Sequence, residues 1–220
     1  MFRKIILVFL LLLQLSVSAK TTNEFQSWNL VTLTKDLDEK WSMYFEVQDR
    51  INNSVTQEGL LIIRPAIEYK LNKTFSLWQG YAWTPNFAGH GMLNENRLWQ
   101  QIAFGKKFSK ISILGWSRLE ERFIENADTM SLRSRTRVGI SVPLFNLKTW
   151  KLLVFDEFFV NLYNVTNGPA AGFDQNWSFV GFEKIFNENL NMSAGYLLNY
   201  LNRSDDAIQH AIRLQLNITI

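Results

Sequence analysis

The segment Ser131–Val142 constrains the fold more than any other stretch of the chain. Arg133, Arg135 and Arg137 occupy alternate positions and are followed in the same phase by Gly139 and Ser141. The intervening set is Leu132, Ser134, Thr136, Val138, Ile140 and Val142. A strand puts alternate residues on opposite faces, so this one has a cationic face and a largely apolar face. In a soluble sandwich the apolar face would be core and the arginines would meet water. In a transmembrane barrel the apolar face would meet lipid and the arginines would line the interior.

The rest of the chain chooses between them. Strands are expected at 24–35, 40–51, 58–71, 74–84, 94–106, 110–124, 130–142, 149–161, 172–186, 189–203 and 207–220. No window carries a sustained apolar repeat at helical spacing. Strands this long suit a tilted bilayer crossing, whereas soluble strands cluster near 5–6 residues. Short connections at 36–39, 72–73, 107–109, 143–149 and 187–188 alternate with longer ones at 52–57, 85–93, 125–129, 162–171 and 204–206. Tight periplasmic turns and longer outer loops give outer-membrane barrels this asymmetry.

Charge also falls on one face of strand after strand. Arg118, Glu120 and Arg122 share a face, as do Glu95, Arg97, Trp99 and Gln101. Trp41, Met43, Phe45 and Val47 oppose Ser42, Tyr44, Glu46, Gln48 and Arg50. A globular core would not be lined this way, because burying unpaired charge is expensive. A barrel interior can be, if the charges pair. Trp41 and Trp150 follow short turns and Trp83 precedes a long loop, as aromatic residues at membrane interfaces do. The fold expected is all-β: a transmembrane antiparallel up-and-down barrel of about 10–12 strands with a charged lumen.

The first residues bear on location. Met1-Phe2-Arg3-Lys4 is a short basic head, Ile5–Leu15 is apolar apart from Gln14, and Ser16-Val17-Ser18-Ala19 offers small residues for cleavage. This pattern predicts a signal peptide over 1–19 and a single barrel domain over 20–220. Removing Arg3 and Lys4 lowers the formal net charge of +3 by two, to +1. The basic balance therefore points to no nucleic-acid partner. With no cysteines, an exported domain is held by packing or sheet closure rather than by disulfides. The expected location is the bacterial outer membrane, with membrane lipid and the barrel-assembly machinery as partners; oligomeric state is not legible.

Several ordered motifs resemble a known family. They are Glu46-Val47-Gln48-Asp49-Arg50, Gly80-Tyr81-Ala82-Trp83-Thr84-Pro85, Asn94-Glu95-Asn96-Arg97 and Arg118-Leu119-Glu120-Glu121-Arg122. The Arg133, Arg135, Arg137 ladder, Asp156-Glu157-Phe158-Phe159-Val160-Asn161 and Phe173-Asp174-Gln175-Asn176-Trp177 follow. Across nearly the whole mature chain this resembles the bacterial outer-membrane family DUF2490. The last motif more usually ends in Asn-Arg, and Trp177 departs from it. The resemblance implies an outer-membrane barrel and no known activity.

The inward set predicted from alternation holds Arg50, Arg64, Arg97, Arg118, Arg122, Arg133, Arg135, Arg137 and Arg213. Glu46, Glu68, Glu95, Glu120 and Glu157 stand against them, with Asp174 as a further candidate. Long charged side chains in a barrel of this size favour an ion-pair network that narrows or plugs the lumen, and the forked guanidinium suits bidentate pairing. A narrow anion-selective pore is the alternative. A lipid-modifying enzyme is a third reading, but His90 and His210 have no serine partner legible in the sequence, so no catalytic residue is expected. A secreted soluble sandwich or lipid-binding barrel is a fourth. No metal-ligand spacing or cofactor motif is present.

Three features resist the simple picture. The chain reads as eleven strands where an even number is expected. Pro65 interrupts a strand, predicting a bulge or an open edge. Asp156 falls on the apolar face if Glu157 points inward, so a bulge turning both acids inward is expected, and this pair is the candidate for a role beyond packing.

Overall fold

The computed structural model describes residues 22–52, 57–87, 91–144, 147–204 and 206–220. Eleven strands form one closed barrel: β1 (Thr22–Asp36), β2 (Trp41–Asn52), β3 (Gln57–Lys70), β4 (Phe75–Trp83), β5 (Glu95–Phe108), β6 (Ile111–Ile124), β7 (Ser131–Leu144), β8 (Leu147–Asn161), β9 (Gly172–Asn187), β10 (Leu190–Leu201) and β11 (Ala207–Thr219). Each strand pairs antiparallel with its neighbours in sequence.

The expectation of an even strand number does not hold. In an up-and-down meander of eleven strands the first and last run the same way, so closure requires a parallel pair. β1 and β11 supply it, in register from Thr22–Ala207 to Thr34–Thr219. Thr22 therefore lies at the rim of the long connections. Ile220 lies at the opposite rim, where its N–H donates to the Thr34 carbonyl at 2.9 Å.

The short turns are closed by side chains suited to them. Asp38 Oδ1 accepts the N–H groups of Lys40 and Trp41 at 2.7 and 2.8 Å, which holds its carboxyl below the usual range. Asn72 Oδ1 does the same for Thr74 and Phe75 at 2.8 and 3.0 Å. Asx side chains mimic backbone acceptors in this way. At the other rim, Glu125 accepts the backbone and side-chain amides of Asn94 at 2.8 and 3.1 Å, and these donors lower its carboxyl below the ordinary value.

Pro65 has the predicted local effect. It pairs with Phe45 on β2, but the β3–β4 ladder skips from Ile63–Trp83 to Ala66–Gly80. The ring has no N–H for that ladder. Beside this gap the Trp99 indole lies over Gly80. A Cβ there would sit 2.2 Å from the indole and 2.9 Å from the Pro65 carbonyl oxygen. Gly80→Ala is expected to cost about 1–3 kcal/mol through overpacking. A lowered urea midpoint of the refolded barrel checks this, and an unchanged midpoint would mean that Trp99 moves freely.

The two faces separate as the alternation requires. Met43, Phe45, Ile67, Leu77, Leu98, Ile102, Val138, Phe158, Val180 and Phe182 are exposed on the outer wall. Arginines, carboxylates, amides and aromatic rings fill the inner one. An apolar inner cluster of Trp28, Leu30, Phe155, Phe159, Trp177, Phe179, Leu197 and Ala211 covers the wall from β8 round to β1.

Candidate functional site

The arginine ladder of β7 begins a continuous ionic chain along the inner wall from β6 to β9. Arg137 Nη2 meets Glu157 Oε2 at 2.5 Å, and Arg135 Nη2 meets Glu157 Oε1 at 2.6 Å. Arg135 Nη1 turns to Glu120 Oε1 at 2.6 Å, whose other oxygen takes Arg133 Nη2 at 2.6 Å. Arg133 Nη1 reaches Asp174 at 3.3 Å, and Arg203 closes the chain on Asp174 at 2.8 Å. Cation and anion alternate along the whole path, as a low-dielectric interior demands.

The register explains why these groups meet. Glu120 lies opposite Arg133 on the β6–β7 ladder, and Arg137 lies opposite Glu157 on the β7–β8 ladder. Arg135 sits one inward step from each, so its fork can span both acids. The β8–β9 register shifts between Phe159 and Val160, leaving Asp174 as an extra residue. A bulge of this kind re-aims a side chain, and here the side chain is Asp174, buried toward Arg133.

Two smaller groups flank the chain. Glu95 takes Arg97 and Arg122, each through Nε at 2.6 Å. Glu46 takes Arg64 at 2.5 Å and the Tyr44 hydroxyl at 2.6 Å. Three inward arginines are less well served. Arg118 donates to Gln101 at 2.9 and 2.7 Å and stands 3.9 Å from Glu120. Arg213 donates to Gln215. Arg50 lies over the Trp28 ring at 3.8 Å and near Trp177 at 4.8 Å.

Aromatic rings are the second material of the interior. Arg118 stacks on Trp99 at 3.9 Å, Arg137 on Phe155 at 4.0 Å and Arg135 on Phe159 at 4.5 Å. A desolvated guanidinium over an aromatic face gains about 2 kcal/mol. Trp177 is buried between Trp28 and Phe159. An inward indole thus occupies the position where the resembled motif more usually carries an arginine.

Toward the long-connection rim the interior opens into a cup of about 790 Å³. Arg50, Arg64, Arg135, Ile62, Phe159 and Trp177 are among its lining residues, and Asn94, Asn202 and Arg203, beside the long connections, stand at the mouth. The 162–171 connection overhangs it. Asn167 donates to Asp128 at 3.0 Å, and Asn161 donates to the Ala170 carbonyl at 3.0 Å.

Of the predicted inward residues, Glu46, Arg64, Glu95, Arg97, Glu120, Arg122, Arg133, Arg135, Arg137 and Glu157 meet in these pairs, and Arg50, Arg118 and Arg213 sit beside them. Glu68 is half-buried opposite Ser42 and Trp78, and among the described residues it joins no ion pair. Asp156 and Glu157 are not brought together, which corrects the expected bulge. The register runs unbroken through Arg137–Glu157 and Val138–Asp156, so the two acids point to opposite faces. Asp156 stays on the outer face, where it accepts from Asn176 at 2.8 Å and Ser178 at 2.7 Å. Those two neighbours supply what an inward turn would have supplied.

Trp41 is exposed on the outer wall beside Tyr69, 4.7 Å between ring centroids. Trp150 lies near Lys184 at the same rim, and Trp83 donates to Asn94 at the other. His210 contacts the Tyr196 hydroxyl at 2.5 Å and Asn23 at 3.3 Å on the outer face. Residues 1–19 and His90 lie outside the described residues. Arg203 closes the predicted strand 189–203 but is not in the predicted inward set; β10 ends at Leu201, and Arg203 reaches Asp174 from just beyond it. Trp28 and Trp99 escaped the sequence reading as stacking partners, although their alternation phase already placed them inward.

The profile of a family described as "Protein of unknown function (DUF2490)" matches residues 25–210. The chain belongs to this family. It is also similar to an uncharacterized protein of Methylorubrum extorquens, 29% identical over 211 residues, which span 92% of this chain and 90% of that one. No solved structure matches it. This DUF2490 member thus has a closed barrel and a buried arginine–carboxylate network.

Proposed function

We propose that this chain is a non-catalytic outer-membrane barrel whose lumen is plugged by its own ionic network, so that its work is done at the loop-side cup and not by passive flow. One observation carries the reading. Glu157 and Glu120 are 0% and 1% exposed, and the inward rings of Trp28 and Trp99 are 0% and 1% exposed. Charges on the wall of an open channel stay hydrated. These have exchanged water for each other, and the cup ends above them.

The outer-membrane setting draws support from the exposed apolar outer wall. A soluble protein rarely exposes so continuous a patch, whereas a barrel crossing lipid requires one. Lipid around that wall and the assembly machinery for insertion are the partners this reading entails. The non-catalytic reading draws support from His210, whose ring nitrogens are taken up by Tyr196 and Asn23.

The cup's arginines favour a second reading, a narrow anion-selective pore. Single-channel recording of the barrel in a planar bilayer separates the two. Wild type is expected to stay closed, and a variant with Arg133, Arg135 and Arg137 all changed to Ala is expected to leak. Heat-modifiable gel mobility verifies beforehand that both are folded. Anion-selective steps in wild type, lost in the variant, would overturn the plug.

A further inference from the structure

The interior carries more positive charge than it cancels. Among the described side chains Arg50, Arg64, Arg97, Arg118, Arg122, Arg133, Arg135, Arg137 and Arg213 are nine inward cations against seven acids, Glu24, Glu46, Glu68, Glu95, Glu120, Glu157 and Asp174, an excess of two, and Arg203 adds a half-exposed cation at the mouth. The rim pairs Lys70–Asp36 and Lys151–Glu183 add nothing to either side. Uncompensated buried charge is costly, and a bound counter-anion is the usual remedy.

The excess concentrates in the cup. Seven arginines line it against Glu95 and Asp174. Arg50 is the key one, since among the described residues no carboxylate forms an ion pair with it. Its stacking on Trp28 and Trp177 uses the faces of the guanidinium. Stacking leaves the in-plane N–H groups to find acceptors of their own. Its Nε is buried without a hydrogen-bond partner, as is the Nε of Arg64. Arg64, Arg97 and Arg135 line the same cup as Arg50. Several arginines lining one cup suit a tetrahedral oxyanion, which can accept from more than one guanidinium at once. The volume of the cup greatly exceeds such an ion, and Ile62, Phe159 and Trp177 give it an apolar and aromatic side.

We propose that the cup binds a phosphate group carried on a small polar solute, with the phosphate seated on Arg50 among Arg64, Arg97 and Arg135 and with Arg203 contributing at the mouth. This goes beyond the plugged-barrel reading and is tested separately from it, because binding is read in detergent without a membrane.

The experiment is calorimetric titration of the refolded barrel at low ionic strength with inorganic phosphate, a hexose phosphate and the parent hexose. Saturable binding of both phosphates is expected, with the ester at least as tight, and none of the neutral sugar. Arg50→Gln is expected to weaken the ester about tenfold or more, the loss of one charge-assisted contact. Arg203→Gln is expected to weaken it several-fold, and Lys106→Gln, on the exposed outside, should leave it unchanged. Gel mobility reports folding; if Arg50→Gln fails to fold, the half-exposed Arg203 decides alone. Absence of saturable phosphate binding to wild type would overturn the proposal. So would wild-type affinity in the folded arginine variants, hexose binding as tight as its phosphate, or binding of free phosphate with the ester excluded.

Discussion

Glu157→Ala is expected to lower the unfolding free energy of the barrel by about 3–5 kcal/mol, the cost of breaking a buried charge group by removing one partner. Glu157 is 0% exposed and holds Arg135 at 2.6 Å and Arg137 at 2.5 Å. Without it, Arg137 keeps its stacks on Phe155 and Trp116 but no ion pair, and Arg135 keeps Glu120 as its one remaining ion-pair partner among the described residues. The loss is therefore more than a salt bridge, because two cations stay buried with one acid fewer. Replacing Glu157, Arg135 and Arg137 together by Leu, Met and Met should return much of that stability, since well-packed apolar residues often match a buried ionic group. Urea unfolding followed by heat-modifiable mobility measures both. A single variant within about 1 kcal/mol of wild type, the range of exposed ion pairs, would mean that water reaches the network and that the lumen is not sealed.

Strand positions and the division of faces were legible from alternation alone. The predicted segment 130–142 and the observed β7, Ser131–Leu144, differ by at most two residues at either end. Alternation fixes which face a residue occupies. It does not fix register or shear, and these decide which acid meets which arginine. So Glu120 and Glu157 could be placed inward with Arg133, Arg135 and Arg137, while the chain linking them could not be drawn. Asp174 needed a bulge that period two cannot foresee. Glu68 obeyed the face rule yet falls beside Ser42 and Trp78 instead of an arginine. Parity failed for a different reason: antiparallel pairing along the chain says nothing about the closing seam, and one parallel pair is enough to close an odd number of strands.

Trp28→Ala is the other large effect expected, about 3–5 kcal/mol of stability from the cavity and lost packing. Trp28 is fully buried, donates through Nε1 to Gln26 at 2.7 Å and meets Trp177 edge-on at 4.8 Å. It also carries Arg50 at 3.8 Å. Trp28→Phe keeps a ring under the guanidinium and loses chiefly the indole N–H bond, so about 1 kcal/mol is expected. The gap between the two variants measures how far an aromatic face, in place of a carboxylate, makes a buried arginine tolerable here. Urea midpoints read it directly, and equal losses would show that the ring supports nothing beyond its own hydrogen bond. The pair also separates charge from seating in the cup. Both variants retain Arg50, so weaker phosphate binding in Trp28→Ala with near wild-type binding in Trp28→Phe would place the recognition in how the guanidinium is held flat. Phosphate affinity that follows charge alone would be equal in both.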